Sequence, residues 1–495
     1  MNKYFRITHV ILIILTAVLL VQSGCAVNPV TGKKEIMLIS ESMEIQMGKE
    51  IDQGLRRQYG IYDDPQLNVY IDQIGQQMVP HCHRPHLQYH FAILDTPVEN
   101  AFAAPGGYIY ITRGLMAMIN SEAELATIIG HELGHVNARH SARQMTRSIL
   151  FTVGIVLASE LSKDFRKIAP ISMIATQLLF LKYSRSDEYQ ADSLGVEYSL
   201  KIGYSAHEMV TFFNNLQRLS QSKGGAHLPN FLSTHPLTPR RIDRVKELLQ
   251  SEEYSQPGGL GQLKVERNGY INRLNGLVYG NNPKQGYVEG NAFYHPDMRF
   301  YFSIPSGWKV SNTPRQVTLS SPGGKAVILL QAESTSEALD SYTGKMMKQL
   351  SNPQILREGY RYINGMDAYH TLASMVTDTS GGEGETAQEL NVQVSCIRKG
   401  GIIFTFFSAA SQPDFSTYRY AIDRTVESFN RLTSPGHINR RPYRVAVRRI
   451  QYPRSLSDFL SRLGIPRQNW NQIALINGME LNHQLSANQL VKIIR

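Results

Sequence analysis

Apolar positions change their period several times along this chain, and each change marks an element. Between residues 121 and 136, Leu125, Ile128, Ile129, Leu133 and Val136 fall three or four apart, the spacing of one helical face. Ser121 and Glu124 at its head form a Ser-x-x-Glu capping box, so the helix starts there. Tyr183 to Asp192 reads as a second helix, flanked by small residues that permit close approach to the first. Tyr108 to Ile111, upstream of both, reads as a strand. Two longer apolar stretches, Ile149 to Leu161 and Ile168 to Leu181, flank a short polar turn. Each falls short of the roughly 20 residues a bilayer-spanning helix needs, leaving buried helices or a membrane-facing hairpin over a cleft.

After Pro257-Gly258-Gly259 the periodicity dissolves into Gly- and Asn-rich sequence, which predicts a linker over 256–295. Strand-like alternation resumes at Met298 to Pro305 and returns in Val327 to Leu330, Leu390 to Ile397 and Ile402 to Ser408. Glu337 to Leu350 and Phe415 to Phe429 read as helices, so 296–433 is expected to be a layered α+β domain, loosely similar to small domains of the PsbP kind. It shows no acid–base or metal cluster, which suggests an interaction module. From residue 440 the order is helix (Leu456 to Leu463), helix (Gln468 to Ile476), Asn477-Gly478 and the strand-like Leu490 to Ile494. That order resembles a LysM module, a small glycan-binding fold, although Pro453-Arg454-Ser455 replaces its Gly-Asp-Thr turn and Asn488 stands where Gly is typical.

Length and charge refine this division. At about 100–200 residues per domain, 495 residues suggest roughly three domains. With 42% hydrophobic and 19% charged residues, the composition suits real cores and excludes global disorder. The net charge of +10 is unevenly placed: residues 1–24 carry Lys3 and Arg6 without an acid, and residues 440–495 carry ten Lys or Arg against Asp458 and Glu480. The body between them is neutral. This points away from nucleic acid and leaves peptidoglycan or an anionic lipid as a partner for 440–495, against a plain solvated basic surface.

The amino terminus reads as an export signal over residues 1–24. Lys3 and Arg6 precede an apolar run from Val10 to Val21, then Gln22-Ser23-Gly24-Cys25. Small residues before a cysteine resemble a bacterial lipobox, which implies lipidation at Cys25 and, with Ala26 following, sorting to the outer membrane; the alternative is an ordinary signal peptide cut nearby. Cys82 and Cys396 are then left over, by default as two thiols, with a disulfide between them the less favoured reading.

The chemistry concentrates in His131-Glu132-Leu133-Gly134-His135. Residues four apart share a helical face, so His131 and His135 can place two imidazole nitrogens on one Zn²⁺ while Glu132 reaches a water on it. Glu188 and Asp192, one turn apart on the second helix, offer a third ligand and an acceptor for the remaining ring N–H of a ligand histidine. His81, His83, His86 and His90 match no zinc spacing and read as solvated loop residues.

These residues, with Asn28-Pro29-Val30-Thr31-Gly32, Asn100 to Gly107 and Ser233-Thr234-His235-Pro236, resemble the HEXXH zinc metalloproteases that include HtpX, the CAAX prenyl proteases and the bacterial β-barrel assembly-enhancing protease. The resemblance spans about residues 26–250 and looks closest to exported lipoprotein members. It implies one Zn²⁺ per chain held by His131, His135 and Glu188, Glu132 as general base, and Asp192 behind a ligand. It further implies that His235 approaches the zinc, blocking the fourth position in a latent state or steadying the oxyanion, and that Arg241 is the family's arginine, a substrate-binding residue, with Arg240 beside it as a rival. Asn100, Ala101 and Phe102 are expected on a strand whose edge binds extended substrate.

The expected architecture is therefore α+β and multidomain: a mainly helical, gluzincin-type protease domain with a small sheet over 25–255, a linker over 256–295, an α+β domain over 296–433 and a LysM-like module over 440–495. The expected function is a lipid-anchored periplasmic zinc endopeptidase acting on misfolded or unassembled envelope polypeptides, with the outer-membrane assembly machinery as a partner. Its rival is an envelope chaperone or assembly factor with little peptidase activity.

Overall fold

The computed structural model describes residues 25–158, 182–222, 230–251, 263–350, 352–377 and 388–495. The expected export signal, the stretch Ile168 to Leu181 and Pro257-Gly258-Gly259 lie outside the described residues. The chain divides into two compact units, one built from the segments up to Arg56, Gly60–Tyr279 and Arg444–Arg495, the other from Arg57–Tyr59 and Gly280–Tyr443.

In the first unit, β1 (Cys25–Val27) and β2 (Lys34–Ile36) form an antiparallel pair, followed by α1 (Glu41–Gln58) and α2 (Pro65–Met78). A three-stranded sheet comprises β3 (His90–Leu94), β4 (Ala101–Ala104) and β5 (Tyr108–Thr112) in the order β3-β5-β4. The expected strand Tyr108 to Ile111 is thus central, and the edge belongs to β4, which runs antiparallel to it. Helices α3 (Arg113–Met118), α4 (Glu122–Asn137), α5 (His140–Ala158), α6 (Arg185–Lys201), α7 (Glu208–Ser222), α8 (Asn230–Thr234) and α9 (Pro239–Gln250) complete this part. Among the described residues no helix is long and apolar enough to cross a membrane.

Helix α4 starts where its capping pattern predicts, with Ser121 Oγ accepting from Glu124 N at 3.0 Å. The reciprocal bond of a capping box is not made. The Glu124 carboxylate accepts instead from Asn120 N at 2.7 Å, one residue upstream of the cap. Every residue of α4 from Ala123 to Asn137 is buried, so the helix runs through the core with its polar side chains enclosed. Helix α6 lies against it backbone to backbone. A Cβ on Gly130 would stand 3.0 Å from Gly195 O, one on Gly134 3.0 Å from Ala191 Cα, and one on Gly195 3.0 Å from His131 N.

The stretch expected to be a linker is ordered from residue 263 onward, containing α10 (Arg267–Arg273), β6 (Val278–Tyr279), β7 (Tyr287–Glu289) and β8 (Ala292–His295). Four of its glycines, Gly276, Gly280, Gly286 and Gly290, sit at positive φ in turns between these short elements, so much of the glycine content reflects tight turns. The second unit begins at Gly280 rather than near residue 296.

That unit holds β9 (Phe300–Ser303), β10 (Lys309–Thr313), β11 (Gln316–Ser320), β12 (Ala326–Ser334), α11 (Leu339–Met347), β13 (Gln354–Ile363), β14 (Met366–Thr377), β15 (Gln388–Lys399), β16 (Ile402–Ser411) and α12 (Gln412–Glu427). Seven strands form an antiparallel sheet in the order β10-β11-β12-β16-β15-β14-β13. The period-two alternation of β15 serves two cores: Ile397 joins Phe404, Phe406 and Ile422 of α12, while Val392, Val394 and Cys396 join Leu339 and Met347 of α11. Cys82 and Cys396 are both free and buried.

The carboxy-terminal elements are β18 (Tyr443–Arg449), β19 (Arg454–Ser455), α13 (Leu456–Arg462), α14 (Trp470–Ile476), β20 (Gln484–Leu485) and β21 (Leu490–Ile494), preceded by the short β17 (Asn430–Arg431) of the second unit. Strand β18 lies between β21 and β6, so residues 444–495 extend a sheet of the first unit. Lys492 of β21 is fully buried and donates to Ala117 O at 2.8 Å and Ile119 O at 2.7 Å, the turn that leads into α4. Burial pushes the Glu124 carboxyl up and the Lys492 ammonium down, and each group moderates the other's shift.

Two outcomes follow from this packing. Gly195→Val is expected to destabilise the chain by about 1–3 kcal/mol in urea unfolding, because an added side chain meets backbone. Lys492→Met is expected to cost about 1–3 kcal/mol by leaving two buried carbonyls without their donor; a stability equal to wild type would show that residues 444–495 do not brace the turn.

Candidate metal centre

Four ionisable side chains from three segments converge in the core of the first unit. His131 and His135 come from α4, Glu188 from the first turn of α6, and His235 from the residue after α8. Ligand atoms of all four lie within 4.8 Å of one another, and all four residues are buried. His131 Nε2 is 3.1 Å from His135 Nε2 and 3.3 Å from His235 Nδ1. Glu188 lies 3.6 Å from the Nε2 of each α4 histidine and 3.0 Å from His235 Nδ1.

These separations test whether a metal fits. Donors about 2.0–2.1 Å from a tetrahedral zinc ion stand roughly 3.3–3.4 Å apart, which the observed spacings bracket. Three imidazole nitrogens aimed at one point, with a carboxylate beside them, suit a cation and nothing apolar. Glu132, one step round α4, is fully buried, and neither of its carboxylate oxygens accepts a hydrogen bond among the described residues. Its Oε1 stands 3.6 Å from His235 Nε2.

The electrostatics follow from burial opposed by neighbours. Burial pushes the Glu132 carboxyl up and the His135 imidazole well down. For His235, burial disfavours the charged ring, but Glu188 and Glu132 outweigh it and raise its pKa. Burial likewise opposes the charge on Glu188, yet His235 and Arg241 leave its pKa lowered.

Asp192, one turn beyond Glu188, places Oδ1 3.0 Å from His131 Nδ1. Burial would raise its pKa, but Arg241 overrides this and holds it at about 2. Arg241 is the inward one of the two adjacent arginines, buried where Arg240 is exposed. Its guanidinium spans two carboxylates of α6, at 2.6 and 2.8 Å to Asp192 and 2.7 Å to Glu188. The residue expected at the substrate thus stands behind the ligands, bracing α6. Asn100 and Ala101, with Phe102, are buried at the head of β4, where Asn100 Oδ1 lies 3.4 Å from Thr234 Oγ1. Phe231 N donates to Glu99 O at 3.0 Å, so the start of this edge already pairs with α8.

The histidines around Cys82 go to separate partners: His83 to Tyr198, His86 to Glu41, His90 to the ring of Tyr108. Two residues that sequence reasoning passed over stand against His135. Tyr183 stacks on its ring at 3.9 Å, and His140 Nδ1 lies 2.9 Å from its Nδ1. Tyr183 carried no signal beyond its place before α6, and His140 lies outside the His-Glu-x-x-His spacing.

Comparison with known proteins agrees with this geometry. The β-barrel assembly-enhancing protease of Escherichia coli K12 is 30% identical over 212 residues, 41% of this chain and 43% of that protein. The putative β-barrel assembly-enhancing protease of Vibrio cholerae is 32% identical over 201 residues, 39% of this chain and 41% of the relative. The mitochondrial metalloendopeptidase OMA1 of Arabidopsis thaliana is 32% identical over 168 residues, 34% of this chain and 33% of its own. The chain therefore spans less than half the length of these curated relatives. The cyanobacterial PsbP solution structure from Synechocystis overlaps 30% of this chain and 96% of its own at 12% identity, with a TM-score of 0.24 that carries no weight. Residues 65–249, which contain α4, α6 and the His235 segment, match peptidase family M48.

Proposed function

We propose that this chain is a zinc-dependent endopeptidase of the bacterial cell envelope that hydrolyses peptide bonds of misfolded or unassembled envelope proteins. The observation that carries the proposal is the convergence of His131, His135 and Glu188 beside a buried Glu132 with no hydrogen-bond donor of its own. His131, His135 and Glu188 are the ligands of one zinc ion per chain. When bound, zinc supplies Lewis acidity and a water acidified to a pKa of about 7. Glu132, its pKa raised by burial, takes a proton from the attacking water and returns it to the leaving amine. Asp192 fixes the outward N–H of His131, and Arg241 holds Asp192 and Glu188 in place.

His235 acts as a latch. Its Nδ1 stands among the ligand nitrogens, where an incoming water or substrate carbonyl has to be, so the geometry corresponds to a closed state. Displacement of its segment opens the fourth position and leaves His235 near enough to steady an oxyanion. Extended polypeptide then lies along β4, by Asn100, Ala101 and Phe102.

The cellular setting of this reading is export to the periplasm with a lipid on Cys25 and attachment to the outer membrane. The names of the Escherichia and Vibrio relatives support a role beside the outer-membrane assembly machinery. Residues 440–495 are a LysM-like segment offered to peptidoglycan or anionic lipid.

Glu132→Gln is expected to keep stoichiometric zinc and lose casein cleavage by about 10²–10⁴-fold; zinc loss or retained cleavage would contradict the role assigned to Glu132, whereas a zinc-loaded wild-type chain that cleaves no casein would favour a client-binding chaperone. With zinc content held equal, His235→Ala is expected to cleave casein faster than wild type, and an unchanged or lower rate argues against the latch.

A further inference from the structure

The zinc reading leaves one feature of the site unexplained: the outward face of His135. The ring of His131 is backed by a carboxylate, Asp192, in the manner usual for metal-binding histidines. His135 is backed by another imidazole. His135 Nδ1 and His140 Nδ1 are 2.9 Å apart, and His140 Nε2 continues to Gln190 Oε1 at 3.0 Å. All three residues lie in the first unit, and His140 is fully enclosed.

Only one arrangement of protons satisfies this chain of atoms. If His135 presents Nε2 to a metal, its single proton sits on Nδ1 and is donated to His140 Nδ1. His140 then carries its proton on Nε2 and donates it to the Gln190 carbonyl oxygen. Each ring is neutral, and each nitrogen has a partner.

The backbone is shaped to produce this contact. On a continuous helix, His140 would stand about 140° around the axis from His135 and could not meet its ring. Arg139 breaks the helix with φ of +56°, a left-handed conformation that is uncommon for a residue with a Cβ. Contacts hold it there: Arg139 Nε donates to Glu44 at 2.7 Å and Nη2 to Ile39 O at 2.8 Å, while Glu44 also binds buried Arg84 at 2.8 Å. Such a corner, set by surrounding contacts, turns the first residue of α5 back onto the last turn of α4. Ser141, the next residue, meets the hydroxyl of Tyr183 at 3.0 Å, and the Tyr183 ring covers the face of His135. The ring is thereby fixed at its edge and on its face by adjacent parts of one corner.

We propose that His140 is a positioning residue for His135, accepting its Nδ1–H so that the Nε2 lone pair is directed at the metal, and that the Arg139–Glu44 corner exists to place it. The inference rests on the zinc reading above. His140 does not touch substrate or metal; it acts through His135. The group that meets His135 Nδ1 is thus an imidazole, and the nearest carboxylate on that side, buried Asp187, lies beyond it at 3.6 Å from His140 Nε2 and is paired with Arg143 at 3.0 Å.

The test uses the full chain and reads zinc affinity by competition with a chromophoric chelator, together with the visible spectrum of the cobalt(II)-substituted protein. His140→Leu keeps an apolar side chain of similar size and lacks an acceptor, whereas His140→Gln keeps one. The expected result is a 10–100-fold weaker zinc affinity and an altered cobalt spectrum for His140→Leu, with His140→Gln within about threefold of wild type. Equal affinities of the Leu and Gln variants, whether both normal or both weakened, would overturn the positioning role while leaving the zinc site standing. A wild-type chain that binds no zinc would overturn both.

Discussion

The contact on which the rest of the site depends is the backbone approach of α4 to α6. Gly130 and Gly134 on one helix face Ala191 and Gly195 on the other, with no room for a side chain between them. Only at that distance does a carboxylate on α6 reach the imidazoles on α4. The approach also gives the buried His131 and His135 of α4 their polar partner, since Glu188 in the first turn of α6 reaches both rings while the apolar residues of α4 fill the surrounding core.

Charge balance makes the same point independently. Glu132, Glu188 and Asp192 are buried together with one full cation, Arg241, and with the imidazoles of His135 and His140, which burial keeps from ionising. Buried carboxylates are costly unless paired, and this set is two positive charges short of neutrality. A divalent cation at the point where the donors meet would supply those two charges. Burial raises the pKa of Glu132, and the carboxylates of Glu188 and Glu132 raise that of His235.

How much of this is legible in the sequence depends on whether the relevant residues lie within one regular element. The α4 helix, its Ser121 cap and the ligand pair are readable because a period of 3.6 and a spacing of four are local facts. The helix bearing Glu188 and Asp192 is readable for the same reason. His140 is not, since its role requires a left-handed residue at Arg139 whose cause lies in Glu44, far away in sequence. Arg241 could be chosen over Arg240 only once burial distinguished them. The order of residues 263–295 is not legible because positive-φ glycines at turns and glycines in a flexible tether look alike as composition, although Ile363-Asn364-Gly365-Met366, an Asn-Gly hairpin signal between β13 and β14, shows that such turns can be recognised when alternation flanks them. The carboxy-terminal strand looked like part of a separate module because nothing in Leu490 to Ile494 marks Lys492 as an interior residue.

The zinc site proposed for His131, His135 and Glu188, closed by His235, is tested most directly by the metal content of the purified chain combined with zinc X-ray absorption. One zinc per chain is expected, in a shell of nitrogen and oxygen donors with scattering from three imidazoles and no sulfur. A chain without stoichiometric zinc, or a zinc held by sulfur, would contradict it.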